Sequence, residues 1–232
     1  MIMELTIGRR QLVRGAALFL TLLATGRAAF SAQAKKQEME EVNPPEDLMR
    51  EHGVLRRILL IYRNFIQKLD AGAEVSWGRV GDSATLIRTF VEDYHEKLEE
   101  QYVFPAMRKA GTLVDLVDIL LQQHQAGRRL TDTITEVAKK QGKEQMDRKR
   151  LSTALGQFIG MYEPHAARED TVLFPQLHAV WRGKEFAKMG DVFEGEEDRL
   201  FGEGGFGKMV DRVAAIEKEL GIYDLRQFTP AA

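Results

Sequence analysis

The chain has 232 residues, 44% hydrophobic and 29% charged, which suits one domain of ordinary size with extensions around a buried core. Its formal net charge is −2 with acids and bases mixed along the chain, so the basic footprint of a nucleic-acid binder is missing and no such partner is expected. Cysteine is absent, which excludes disulfides, thiolate metal sites and a cysteine nucleophile and leaves any metal to nitrogen and oxygen ligands.

The first segment, 1–34, reads as a signal peptide. Arg9, Arg10 and Arg14 precede an apolar run at 15–25. That is the length of a signal core and too short for a bilayer span, which needs roughly 20 residues. Ala32-Gln33-Ala34 offers a small-residue cleavage site. Residues 9–14 resemble a twin-arginine export signal with relaxed later positions, and that machinery moves folded proteins. The expectation is export to a bacterial periplasm, with no stable membrane span after signal removal. An uncleaved N-terminal anchor, or a cytoplasmic protein with a start codon assigned too far upstream, is the alternative. Residues 35–43 follow as a polar linker.

Asn43-Pro44-Pro45 has the form of a helix start, a capping residue followed by proline in the first turn. Four long helices are expected, at about 44–69, 82–109, 112–140 and 146–181, within a unit spanning 44–182. Gly72, Gly78 and Gly81 separate the first pair, Gly111 the second from the third, and Gly142 the third from the fourth. Strand signals are missing: no sustained period-2 alternation and no Asn-Gly turn. The remainder, 183–232, predicts two short helices at about 184–200 and 208–220 that pack across the bundle. The fold class expected is therefore all-α, an up-down four-helix bundle with two short C-terminal helices.

The five histidines are placed informatively. His52, His95, His124 and His165 fall one to each long helix, inside it rather than at its ends. His95 is followed by Glu99 and then Phe104-Pro105; His165 is followed by Glu169 and then Phe174-Pro175, at the same offsets of four, nine and ten. His52 precedes His95 by 43 residues and His124 precedes His165 by 41. The chain is thus two helical hairpins, each giving a lone histidine from its first helix and a His-x-x-x-Glu from its second. Residues four apart lie about 40° round a helix and one turn along, so each histidine and glutamate point into the same space. Leu48, Leu55 and Leu59 share a face with His52, Val117 and Leu120 with His124, and Phe158, Met161 and Val172 with His165. These are core faces, and carboxylates buried in a core are normally paired or metal-bound. Two histidines and a carboxylate per hairpin suit non-haem iron with open positions, and manganese and zinc also accept such ligands. Placed face to face, the two sets make a two-metal site with bridging carboxylates. His178 lies about 220° round from His165 and reads as a surface residue. Glu96 and Glu100, about 100° and 140° from His95, read as solvated, with Glu96 within reach of a metal only by a long rotamer. Tyr102 reads as core or as a hydrogen-bond donor behind the site.

These residues resemble the hemerythrin-like (HHE) cation-binding family over roughly 44–181, and the tail ending Gly221-Ile222-Tyr223-Asp224-Leu225 looks like tails of bacterial members. The resemblance implies a non-haem di-iron centre held by His52, His95, Glu99, His124, His165 and Glu169. Oxygen-carrying hemerythrins have a further histidine where this chain has Arg128, and a His-x-x-x-x-Asp where Glu169 and Asp170 stand side by side. On helical geometry Glu169 faces inward, although a local bulge would favour Asp170 instead. Arg128 is expected to snorkel or to pair with Glu99 or Glu169. The expected function is a di-iron protein binding oxygen or a related small ligand, for sensing, storage or scavenging. The alternatives are an oxidoreductase acting on peroxide, nitric oxide or oxygen, and an interaction domain with a relic site.

Overall fold

Asn43 begins the first helix as the sequence suggests: its Oδ1 accepts the Glu46 N–H at 3.0 Å, with Pro44 and Pro45 where no N–H is needed. The computed structural model describes residues 43–141 and 144–230. The expected signal segment 1–34, and all of the linker but Asn43, lie outside the described residues.

Helix α1 runs Pro44–Asp70, α2 covers 77–110, α3 runs Val114–Lys140, α4 covers 145–180, α5 runs Lys184–Phe201 and α6 runs Gly205–Leu220; a 3-10 turn at Leu225–Phe228 follows. No strand occurs among the described residues. Short connections between long helices make sequential neighbours antiparallel, and α1 packs on α2, α2 on α3, α3 on α4, and α4 back on α1. The fold is the all-α up-down bundle. Helix α2 starts five residues before the expected 82, with Gly78 and Gly81 inside it. Gly81 stands where an added Cβ would lie 3.9 Å from the Ala138 Cβ, so a small residue lets α2 approach α3, while Val80 and Ala84 face the core.

Helices α5 and α6 lie mainly against the first hairpin. Phe201 packs its ring on Tyr94 and Phe90 at centroid distances of 5.4 and 5.8 Å, and the Arg57 Nε donates to Glu217 of α6 at 3.0 Å. Among the described residues, no helix is long and apolar enough to cross a membrane.

Two of the long helices are not regular. Helix α2 changes from α to π winding at Ile87–His95 and again at Glu99–Val103; α4 does so at Glu169–Leu173. In a π turn the N–H bonds five residues back rather than four, a rare arrangement that concentrates at functional sites. Both Phe-Pro pairs sit where the ladder returns from π bonding. Phe104 N–H reaches the Glu99 carbonyl and Phe174 N–H the Glu169 carbonyl. The next residue, Pro105 or Pro175, has no N–H to misplace at the switch.

Candidate metal centre

The helices bring all six predicted residues to one place. His52, His95, His124 and His165 are 1%, 3%, 0% and 4% exposed, and Glu99 and Glu169 are both 0% exposed. Each sits on an apolar stripe: Leu48, Leu55 and Leu59 around His52, and Val117 and Leu120 around His124, are fully buried. Around His165, Phe158 is buried, Met161 is only partly so, and Leu173 takes the core position expected of Val172. The π turn that starts at Glu169 shifts the register beyond it.

All four histidines turn Nε2 inward. His52 and His95 Nε2 lie 3.0 Å apart. Glu99 spans the hairpins, with Oε1 3.7 Å from His95 Nε2 and Oε2 3.3 Å from His124 Nε2. Glu169 spans them in the opposite sense, with Oε2 3.0 Å from His165 Nε2 and 3.4 Å from His52 Nε2. Ligand atoms of Glu99, His124, His165 and Glu169 lie within 4.8 Å of one another, as do those of His52, His95 and Glu99. This gives two adjacent clusters, one imidazole pair from each hairpin, with carboxylates between them. Glu169 faces the centre despite the bulge, and Asp170 stands behind it.

The outward nitrogen of every histidine has an acceptor. His95 Nδ1 pairs with Glu51 Oε2 at 2.6 Å and His165 Nδ1 with Gln123 Oε1 at 2.8 Å. His52 Nδ1 pairs with Asp170 Oδ1 at 2.7 Å and His124 Nδ1 with Glu100 Oε1 at 3.2 Å. Such acceptors keep the proton on Nδ1, free the Nε2 lone pair and fix the ring. Sequence reasoning passed over all four in this role, reading Glu100 as solvated although its side chain is only 13% exposed, yet they carry a signal. Glu51 and Gln123 immediately precede the two lone histidines, and Glu100 and Asp170 immediately follow the two glutamates. The Phe-Pro repeat also acquires a purpose: Phe104 stacks on His124 and Phe174 on His52, both at 5.4 Å between centroids.

Beside His124 lies a polar group that helical angles misplaced. Glu96 is 1% exposed rather than solvated. Its carboxylate takes the Tyr162 hydroxyl at 2.5 Å and Arg128 at 2.7 Å. Arg128 also holds Glu100, at 2.8 Å, so it pairs with neither Glu99 nor Glu169. Glu96 lies on the flank of α2 that meets α3 and α4 rather than solvent, and the π turn at Glu99–Val103 displaces the residues beyond His95 from the 3.6-residue register. Tyr102 accordingly turns from the centre toward Phe193 of α5, 6.1 Å between ring centroids. His178 is exposed and stacks on Phe186. Tyr162 fits because residue 127 is glycine: an added Cβ there would lie 2.0 Å from the tyrosine oxygen.

Without a cation the centre is electrostatically frustrated. Both carboxylate oxygens of Glu99 and of Glu169, and His124 Nε2, are buried without a hydrogen bond of acceptable geometry. Burial and the charge of Glu169 raise the Glu99 pKa. Burial acts on Glu169 in the same direction, but the adjacent His165 and His52 hold it well below the usual range. Burial depresses His95 to about 4; burial also works against protonation of His52, yet hydrogen bonds to Asp170 and Glu169 carry it up to about 9. One pocket that sets its own groups against each other while leaving acceptor atoms bare is suited to metal cations. Nitrogen and carboxylate donors together fit iron, manganese or zinc.

The family model of the Hemerythrin HHE cation binding domain matches residues 43–177 and, again, 115–228. Uncharacterized proteins of Mycobacterium bovis and of two Mycobacterium tuberculosis strains are each 46% identical to the chain over 234 residues, covering 97% of it and 92% of the relative. No solved structure matches the chain at a significant level.

Proposed function

This chain belongs to the hemerythrin HHE cation-binding family, and from that premise we infer a non-haem di-iron protein that binds oxygen or a related small ligand, for sensing, storage or scavenging. The observation that carries the reading is the convergence of four inward Nε2 atoms on two buried carboxylates whose oxygens lack hydrogen-bond partners. His52 and His95 would hold one ion and His124 and His165 the other, with Glu99 and Glu169 between them. Two imidazoles and shared carboxylates would leave coordination positions open on each ion. Bound iron would supply redox chemistry and open coordination there. The protein's own groups orient the imidazoles through Glu51, Gln123, Asp170 and Glu100, and exclude bulk water with Phe104 and Phe174.

Anaerobic reconstitution with ferrous iron tests this. About two irons per chain are expected, with a ligand-to-metal absorption band after exposure to air. A colourless protein that takes up no iron overturns the reading.

One observation favours the oxidoreductase alternative. The Tyr162 hydroxyl and the Arg128 guanidinium meet Glu96, whose Oε2 lies 4.0 Å from His124 Nδ1. Burial raises Glu96 to about 8, so exchangeable protons are stored one side chain from the centre, as turnover of peroxide, nitric oxide or oxygen requires. Sustained peroxide consumption would select this alternative; a stable adduct without turnover would select the binding protein. Export belongs to the same proposal, since a centre filled before transport suits a pathway for folded proteins. Replacing Arg9 and Arg10 by lysine should leave the protein in the cytoplasmic fraction.

A further inference from the structure

Beside the His124/His165 half of the centre stands a buried phenol that is not one of the six converging residues. Tyr162 is 1% exposed, and its hydroxyl donates to Glu96 Oε1 at 2.5 Å. That is the length of a hydroxyl bonded to a carboxylate. Arg128 holds the other oxygen, Glu96 Oε2, at 2.7 Å, and its charge favours the ionised carboxylate. The Tyr162 ring meets the His165 ring edge to face, 5.3 Å between centroids. His165 in turn points its Nε2 at Glu169, 3.0 Å away. One phenol therefore has a base on its oxygen and a converging imidazole against its ring.

The surroundings are shaped for it. An added Cβ at Gly127 would lie 2.0 Å from the tyrosine oxygen, so the α3 backbone makes room for this hydroxyl. The other fully buried tyrosines lack the pairing. Tyr94 is bonded to Glu51 and reaches His95 only through that carboxylate. Tyr62 lies behind Phe158, whose ring centroid is 5.4 Å from its own and 4.3 Å from that of Tyr162.

We propose that Tyr162 is a redox-active residue: when hydrogen peroxide meets a half-oxidised pair of irons, it gives one electron to the centre through the His165 ring and its hydroxyl proton to Glu96, and becomes a neutral phenoxyl radical. The role rests on the oxidoreductase reading of the centre. Breaking the O–O bond of one hydrogen peroxide and forming two waters takes two electrons and two protons. The first electron comes from the remaining ferrous ion, which becomes ferric, and the second from Tyr162; both protons come from solvent. Without the second electron, the same encounter would release hydroxide and a hydroxyl radical beside the histidines. Burial of the ring and of Glu96, each 1% exposed, shelters the phenoxyl radical from solvent reductants.

The full chain, loaded anaerobically with iron and oxidised by one electron, is mixed with one equivalent of hydrogen peroxide and freeze-quenched for electron paramagnetic resonance. An organic radical signal is expected that narrows when the protein is made with ring-deuterated tyrosine. It should be lost in Tyr162→Phe and kept in Tyr94→Phe and Tyr62→Phe. At equal iron content, Tyr162→Phe should also release more spin-trapped hydroxyl radical. If Tyr162→Phe fails to fold or to load, fluorotyrosine placed at position 162 keeps the hydroxyl and the ring, and its fluorine should split the signal. No organic radical in an iron-loaded chain, an unchanged signal in Tyr162→Phe, or a signal that the fluorine leaves unsplit overturns the role of Tyr162 and leaves the di-iron reading standing. A chain that takes up no iron overturns the di-iron reading before peroxide is added, and the role of Tyr162 with it.

Discussion

The two hairpins carry the same motif but do not treat it alike. In the first, α1 and α2, both histidines have a carboxylate behind them: Asp170, itself paired with Arg56, behind His52, and Glu51 behind His95. In the second, α3 and α4, His165 rests on the neutral amide of Gln123, and the Glu100 behind His124 is shared with Arg128 and Lys97. A carboxylate makes its histidine a stronger donor than an amide does. The His52/His95 half should therefore hold its ion more tightly, and the His124/His165 half should give up its ion first. The halves also differ one turn away. Three residues after its lone histidine the first hairpin has Leu55, while the second has Gly127; three before its second histidine the first has Glu92 and the second Tyr162. Glycine and tyrosine fit each other, and with Arg128 they give the second half its hydrogen-bonding character.

The comparison breaks most visibly when histidines are removed. His95→Ala or His165→Ala should each lose at least one of about two irons and lower the melting temperature measured with iron present, because bound metal stabilises by about 2.7 kcal/mol at a hundredfold excess over its dissociation constant. Equal melting curves with and without iron would favour a relic site. Next in size is the exchange of the outer acceptors. Glu51→Gln should weaken the tighter ion by roughly 10–100-fold and Gln123→Glu should strengthen the weaker one. Together they should erase the two-step release seen in competition with a chelator. Gly127→Ala, which forces the Tyr162 ring to move, should cost about 1–3 kcal/mol in denaturant unfolding of the metal-free protein. The smallest effect belongs to the tail. Arg79→Ala removes the exposed pair of α2 with Glu219 of α6 and should barely move the unfolding midpoint, because a solvated pair contributes little, while leaving metal content unchanged.

Where winding is regular, the sequence could be read directly. The apolar stripes of α1 and α3 set His52 and His124 inward, and matched offsets identified the partner residues of α2 and α4. Legibility stopped at the π turns. One residue added to a hydrogen-bond ladder has no side-chain signature of its own, and every angle computed beyond it is displaced. Tyr102 turns to the tail, and Leu173 takes the core place expected of Val172; Glu96, next to His95 and taken as solvated, is buried for another reason, since its flank of α2 meets Tyr162 and Arg128. The prolines after two of the three π turns, Pro105 and Pro175, were visible, but their reason was not, since each serves a bond that another residue makes. The acceptors behind the histidines were hidden for a different reason. Glu51, Gln123 and Asp170 neighbour the motif residues in sequence, but their hydrogen bonds reach other helices. Only the tertiary arrangement reveals which neighbour of a motif residue is used.

The crossed stacking of Phe104 on His124 and Phe174 on His52 makes each hairpin a guarantor of the other. Neither half shelters its own lone imidazole; each lends an aromatic lid and an acceptor, Glu100 or Asp170, to its counterpart. The relation is that of two protomers exchanging elements across a dyad, fused into one polypeptide. A gene encoding a single hairpin could have met this requirement by self-association, and joining two copies would have freed each to diverge while keeping the exchange intact.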